Sequence, residues 1–356
     1  MELTGTSFLV TLVVVTALAM LATLLLWNRL PGPGWLRWTA RVLMIGLCQL
    51  TAICVVATWI NGSFGLYASW DDLLGTPSGN GSTMTGPPAG RATFTPGEDG
   101  TRSTYFRGTR SKLAGQVIVW TPPEYSAPGA AKTRFPVLTL LHGYPGSPRS
   151  WTELGDMPGA LEDLVRLGAA HPFILVIPEI NPGGVNTDCS DVPGRRVATW
   201  LADDVPALVA RHFRTLPQPK GWALMGISTG AYCAAKLPLQ YPKVFGAGAA
   251  LDPDALTGDA GVLTDRGLRE RNSPMWLVTH ARKTGAALFL ATSAQDKDSP
   301  PGQLDSFAKA AAGTGVRVKT LVRPAGGHNF QTWIGMYPDA LGWLSSEVPA
   351  PSAPAR

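Results

Sequence analysis

The chain has 356 residues, a net charge of +5 and only 15% charged side chains, against roughly a quarter in soluble domains. Its Arg residues are scattered, with no Lys/Arg block and no nucleic-acid motif, which argues against nucleic acid as a partner. Once the apolar N-terminal section is set aside, the remainder suits one large domain, with two small ones as the alternative.

Phe8 to Trp27 is an uncharged apolar run of about 20 residues, the length that crosses roughly 30 Å of hydrocarbon. Val42 to Ile60 is a second uncharged run, with Gln49 its most polar residue. Residues 1–60 are therefore expected to form a two-helix membrane anchor, with spans at 8–27 and 42–60. A cleaved signal peptide is the alternative for the first run. It calls for a basic leading region and a short apolar core, whereas Glu2 is the only charged side chain before this long run. Arg29, Arg37 and Arg41 lie between the spans and the N-terminal tail has no Lys or Arg. The positive-inside rule then puts the connecting segment in the cytoplasm and everything after Ile60 on the extracytoplasmic side. Trp27, Trp35, Trp38 and Trp59 sit near the span ends, where interfacial aromatics belong.

Cysteine usage fits this placement. Cys48 and Cys54 lie inside the second span, leaving Cys189 and Cys233 in the exported part. Two cysteines in an oxidising compartment suggest one disulfide, Cys189 to Cys233, the alternative being two free thiols.

Residues 61–100 read as a juxtamembrane segment and flexible linker, rich in Gly, Ser, Thr and Pro from Gly75 onward. Residues 101–346 read as the catalytic domain and 347–356 as a disordered tail. Within the domain, strand and helix patterns alternate. Gln116 to Trp120, Val137 to Leu141, Phe173 to Ile177, Trp222 to Met225, Phe245 to Leu251, Ala286 to Ala291 and Val316 to Val322 are short apolar or β-branched runs. Trp200 to Phe213, Thr229 to about Gln240 and Leu304 to Ala312 carry helical patterns. Apolar strands alternating with helices predict a mostly parallel sheet covered on both faces, with the active site at the carboxyl ends of the strands.

The chemistry centres on Gly226-Ile227-Ser228-Thr229-Gly230. The pentapeptide alone is weak. Between a strand and a helix it predicts a sharp turn that lifts the Ser228 hydroxyl above the sheet, with glycines where strand and helix approach too closely for side chains. A serine needs a base to take its proton. Of five histidines, only His280 and His328 follow Ser228. The order nucleophile, acid, base selects His328, in the loop after the last strand, because His280 precedes the strand that should deliver the acid. That acid is expected in the loop after Ala286–Ala291, with Asp296 first choice and Asp298 the alternative. Asp252 and Asp254, after the preceding strand, read as loop caps. The oxyanion hole is expected from two backbone N–H groups, those of Thr229 and Tyr144, since Pro145 has none to give. His142 reads as structural or substrate-facing, and Arg149, Trp151 and the stretch 256–272 as candidate pocket lining. No clustered metal ligands and no phosphate-binding signature indicate a metal or organic cofactor.

Leu141-His142-Gly143, the run from Asn186 to Gly194, the elbow Gly226 to Cys233, and Gly326-Gly327-His328-Asn329-Phe330 with Trp333 together resemble an esterase family. That family includes the antigen 85 mycolyltransferases and esterase D-like enzymes, and the chain is most similar to its membrane-anchored actinobacterial branch. The likeness runs from about Thr101 to Leu344. It implies an α/β-hydrolase fold and a triad on Ser228, Asp296 and His328, and this branch commonly has a Cys in each of the blocks holding Cys189 and Cys233. Ser293 stands where family members often have Gly, and Asp298 follows closely, which leaves the acid open. The expectation is a membrane-tethered extracytoplasmic serine esterase acting on an ester or acyl-lipid substrate through an acyl-enzyme on Ser228. The alternatives are an acyltransferase moving an acyl chain to a cell-envelope acceptor, and a non-catalytic envelope protein on a hydrolase fold.

Overall fold

The computed structural model describes residues 6–64, 92–97, 100–280 and 284–353. Most of the expected linker, and the last three residues, lie outside that set. The chain divides into two units, 1–76 and 77–356.

The first unit pairs α1 (Thr6–Leu26) with α2 (Gly34–Phe64), both long and apolar enough to cross a membrane. Helix α2 starts eight residues before the expected span. Pro31 and Pro33, with Gly32 at a φ of +107°, confine the turn to a few residues, and nothing after Pro33 opposes a helix. Arg37 and Arg41 therefore sit on α2 and not in the connection. Arg41 donates from Nε and Nη2 to the Trp27 carbonyl at 3.2 and 3.1 Å, satisfying one of the carbonyls that the end of α1 leaves free.

Among the described residues, the second unit is built on a nine-stranded sheet. Strands β1 (Thr95–Pro96), β2 (Thr101–Arg107) and β3 (Ala114–Trp120) form an antiparallel edge. Then come β4 (Val137–Leu141) and β5 (Ile174–Pro178), and a separate hairpin of β6 (Asp191–Val192) and β7 (Arg195–Arg196). Strands β8 (Trp222–Ile227), β9 (Ala247–Leu251), β10 (Ala287–Ser293) and β11 (Arg317–Arg323) complete the sheet. The order is β1-β2-β3-β5-β4-β8-β9-β10-β11, parallel from β5 to β11. This is the mostly parallel α/β-hydrolase sheet that the sequence implies.

Every residue of β4, β5, β8 and β9 is buried, and alternation along each strand assigns its side chains to two cores. Leu138, Leu140, Leu175 and Met225 face α3 (Met157–Arg166) and the C-terminal helix. Val137, Leu141, Val176 and Leu224 face α4 (Val205–His212) and α5 (Thr229–Gln240). Helices α6 (Arg266–Asn272), α7 (Pro274–His280) and α8 (Pro301–Ala311) follow, and α7 and α8 pack with α5 in a third cluster. Helices α9 (Phe330–Ile334) and α10 (Tyr337–Glu347) close the domain.

Two expectations change. Strand β2 is additional to those read from the sequence: only Thr104 and Phe106 on it are buried, so its outer face is too polar to give an apolar run. The described part of the tail, 347–353, is held in place. Glu347 ends α10, Val348 is buried, and Ser352 exchanges backbone hydrogen bonds with Arg134 at 2.9 and 3.0 Å. One buried valine and a backbone bridge hold a segment whose composition reads as disordered.

Cys189 and Cys233 are bonded, joining the loop after β5 to α5. One turn further along α5, the fully buried Lys236 ammonium donates to the Asp188 and Cys189 carbonyls and to Ser190 Oγ. The disulfide closes a loop with a sequence separation of 44, for which chain entropy gives a stabilisation of about 4 kcal/mol. The Cys189→Ser/Cys233→Ser pair is expected to lower unfolding free energy by that order in denaturant titrations. An unchanged midpoint would mean that the Lys236 contacts alone hold the loop.

Candidate active site

Ser228 is the single residue between β8 and α5, at φ +54° and ψ −124°. That left-handed backbone is strained for a side-chain-bearing residue and turns the hydroxyl out at the carboxyl end of the sheet. The flanking glycines are steric necessities. A Cβ at Gly226 would lie 2.0 Å from the Gly230 carbonyl oxygen, and one at Gly230 would lie 2.1 Å from that of Leu141. The Ser228 N–H donates to the Leu251 carbonyl at 3.1 Å, tying the turn to β9.

Three loops at the carboxyl ends of β8, β10 and β11 converge here. Ser228 Oγ lies 2.9 Å from His328 Nε2, and His328 Nδ1 lies 2.9 Å from Asp296 Oδ2. The other Asp296 oxygen accepts the backbone N–H groups of Asp298 and Ser299 at 2.8 and 3.0 Å. The structure thus brings Asp296, not Asp298, to the histidine. Asp298 contributes a backbone donor while its own side chain is exposed. Next to His328, the Asn329 side-chain Oδ1 caps α9 by accepting the Thr332 N–H at 3.0 Å, and the Trp333 ring stands edge-on to the imidazole with the ring centroids 5.3 Å apart.

Electrostatics suit proton transfer. Burial opposes a charged His328, but the Asp296 hydrogen bond and the charges of Asp296, Asp252 and Asp254 outweigh it and raise its pKa above the ordinary 6.5. Burial likewise works against an ionised Asp296. The His328 hydrogen bond, the Ser299 and Asp298 N–H groups and the imidazolium charge prevail and hold it below the usual 3.8. A histidine that acts as the expected base must be neutral to accept a proton, so in that role His328 would place the acid limb of kcat/KM above pH 6.5, with activity rising as pH increases through it. A pH–rate profile checks this, and a limb below 6.5 would contradict the network.

The loop after β4 reaches the serine from the other side. A Cβ at Gly143 would lie 3.3 Å from Ser228 Cβ and 3.7 Å from its Oγ, so the Gly143-Tyr144 backbone adjoins Ser228. Thr229, the other expected oxyanion donor, is the first residue of α5, where helix geometry leaves the N–H without an intrahelical acceptor. His142 is fully buried. Its Nδ1–H donates to the Gly143 carbonyl at 2.8 Å and its Nε2 accepts the Ile180 N–H at 3.2 Å; its role is structural. Trp151, expected as pocket lining, is fully buried against Tyr337 in the core and is unavailable to a substrate. Arg149 pairs with Glu153 one turn on.

Two aspartates read as loop caps lie in the site instead. Asp254 Oδ1 is 3.3 Å from Ser228 Oγ, and its Oδ2 accepts the Thr229 hydroxyl at 2.6 Å. Asp252 Oδ2 accepts the Trp333 indole N–H at 2.7 Å. Burial raises the pKa of both, that of Asp252 to about 6. Their signal in the sequence was their place, directly after β9 at the carboxyl edge of the sheet. Asp252, Asp296 and His328 are close enough together to hold a cation, but both ring nitrogens of His328 are already engaged, by Asp296 and Ser228.

The sequence profile of the family described as Putative esterase matches residues 112–344. The chain belongs to this esterase family. Among curated relatives, an uncharacterized protein of Corynebacterium glutamicum is 25% identical over 252 residues. That match covers 65% of this chain and 57% of the relative, so the chain spans little more than half of the relative's length. Among solved structures, a ferulic acid esterase superposes with a TM-score of 0.60 at 20% identity, covering 69% of this chain and 98% of the other. MPT51 of Mycobacterium tuberculosis, an antigen 85 homologue, superposes with a TM-score of 0.52 at 13% identity, covering 69% and 99%. These structures share the fold. The chain is thus a member of the esterase family on an α/β-hydrolase scaffold.

Proposed function

We propose that the chain is a membrane-tethered serine esterase whose nucleophile, base and acid are Ser228, His328 and Asp296. The observation that carries this reading is the continuous hydrogen-bonded chain from Ser228 Oγ through both ring nitrogens of His328 to Asp296. As the Ser228 oxygen attacks the ester carbonyl, its proton passes to His328 Nε2, and Asp296 stabilises the imidazolium through Nδ1–H. The N–H groups of Thr229 and Tyr144 receive the developing oxyanion; losing one such donor typically costs about 3 kcal/mol. Collapse of the tetrahedral species breaks the ester C–O bond, and His328 returns the proton to the departing alcohol. The resulting acyl-Ser228 is cleared when His328 deprotonates water, releasing the carboxylic acid.

The two apolar helices support a tether, and the charge pattern around them favours an extracytoplasmic catalytic unit. The Cys189–Cys233 bond suits that compartment. The choice between water and an alcohol as acyl acceptor is read by giving the full-length protein, in detergent, a medium-chain ester with and without a polyol. Free acid is expected to dominate at millimolar polyol. Transacylated polyol exceeding free acid would make the protein an acyltransferase.

A further inference from the structure

The mechanism above uses one carboxylate behind His328, but the structure puts a second one there. Asp252 is the first residue after β9 and is fully buried. Ligand-type atoms of Asp252, Asp296 and His328 all lie within 4.8 Å of one another. One Asp252 oxygen accepts the Trp333 indole N–H, and the same indole ring stands edge-on to the imidazole. The other, Oδ1, is buried and without a hydrogen-bond partner among the described residues, the neighbouring Thr292 hydroxyl donating to the Ser299 carbonyl instead.

That arrangement is costly to the fold. A buried carboxylate oxygen without a donor forfeits its hydration, and the nearby Asp296 charge adds repulsion. The backbone at Asp252 is also left-handed, with φ +50°, where glycine would be free of strain. Burial, with Asp296 adding to it, pushes Asp252 up to about 6, while Thr292, His328 and Trp333 pull the other way. A group that opposes folding in three ways is accounted for if its charge is used when the neighbouring histidine becomes positive. An interaction that strengthens only as His328 takes the Ser228 proton stabilises the transition state more than the ground state.

We propose that Asp252 is a positioning residue for His328, a second anionic support that shares with Asp296 the stabilisation of the imidazolium. The proposal rests on the reading of Ser228 and His328 as nucleophile and base. The ionisable groups that face His328 are Asp296 after β10, and Asp252 and Asp254 after β9. Removing Asp252 withdraws one of these negative charges, so the imidazolium is less favoured. When Asp296 is missing, Asp252 is the carboxylate that remains behind the ring.

The test compares kcat/KM and its pH profile for the full-length wild type, Asp252→Asn, Asp296→Ala and the double variant, with Ser228→Ala as blank. Asp252→Asn keeps an oxygen for the Trp333 indole. Should it fail to fold, Asp252→Gly removes the carboxylate while accepting the left-handed backbone. In the wild-type background the Asp252 substitution is expected to cost severalfold in kcat, leave KM within twofold and move the acid limb to lower pH. In the Asp296→Ala background it is expected to cost at least tenfold more than in the wild type. An equal cost in both backgrounds with an unmoved acid limb would overturn the proposal and leave the Ser228–His328 reading intact. Activity surviving in Ser228→Ala would overturn that reading itself.

Discussion

Replacing Ser228 with alanine is expected to lower kcat/KM toward a short-chain ester by on the order of 10⁵-fold, with thermal stability unchanged or raised. The size follows from the proposed role of Ser228 as nucleophile. Without the hydroxyl no acyl-enzyme forms, and what remains is the rate that oxyanion donors and substrate binding provide to attack by water. The sign of the stability effect follows from the backbone. Alanine keeps the positive φ, relieves none of the packing and removes only a hydroxyl lying 2.9 Å from His328 Nε2 and 3.3 Å from Asp254 Oδ1, a long contact of small worth, so the surrounding core is untouched. A His328→Ala variant should lose activity to a similar degree, and the double variant hardly more, because residues that act as one unit are not additive.

Replacing Gly230 with alanine is expected to do the opposite, damaging the fold and activity together. The new Cβ would sit 2.1 Å from the Leu141 carbonyl oxygen and 2.5 Å from that of His142. Neither is a flexible side chain that could yield. Leu141 ends a central strand of the sheet, and the His142-Gly143 segment leads into the expected oxyanion loop. The start of α5 would have to move off β4, separating Thr229 N–H from the Tyr144 side of the site. Overpacking of this kind typically costs 1–3 kcal/mol and here falls on backbone, so about 3 kcal/mol or more is expected. Thermal melts read the loss of stability and a kinetic assay the loss of turnover. A Tm within 2 °C of wild type, about what a loss of 1 kcal/mol or less gives, would contradict this account of the elbow.

Much of this was legible because two kinds of signal are local. The apolar runs of β4, β5, β8 and β9 are buried on both faces, so their composition alone marks them. The elbow is also local, since strand, glycines and helix are contiguous. Chain order then selected His328 among five histidines. What escaped notice depends on packing between distant segments. Strand β2 has a solvated face, so its pattern is weak. Trp151 looks like a pocket aromatic from its place after the β4 loop, yet it turns into the core against Tyr337. Asp254 reaches Ser228, and Asp252 reaches Trp333 across 81 residues of sequence; a run of residues such as Leu251-Asp252-Pro253-Asp254 carries no mark of which way its carboxylates point. The choice of Asp296 over Asp298 also turned on three-dimensional detail. The loop folds so that the backbone N–H groups of Asp298 and Ser299 clasp one Asp296 oxygen and leave the other for the imidazole.

The central claim is that Ser228 is an activated nucleophile. Intact-mass and peptide-mapping spectrometry of the folded protein treated with a fluorophosphonate reads it most directly. One covalent adduct per chain, on Ser228, formed rapidly in wild type and lost in both Ser228→Ala and His328→Ala, is the predicted result. Folded wild type that stays unlabelled, or an adduct that maps to another residue and persists in Ser228→Ala, would contradict it.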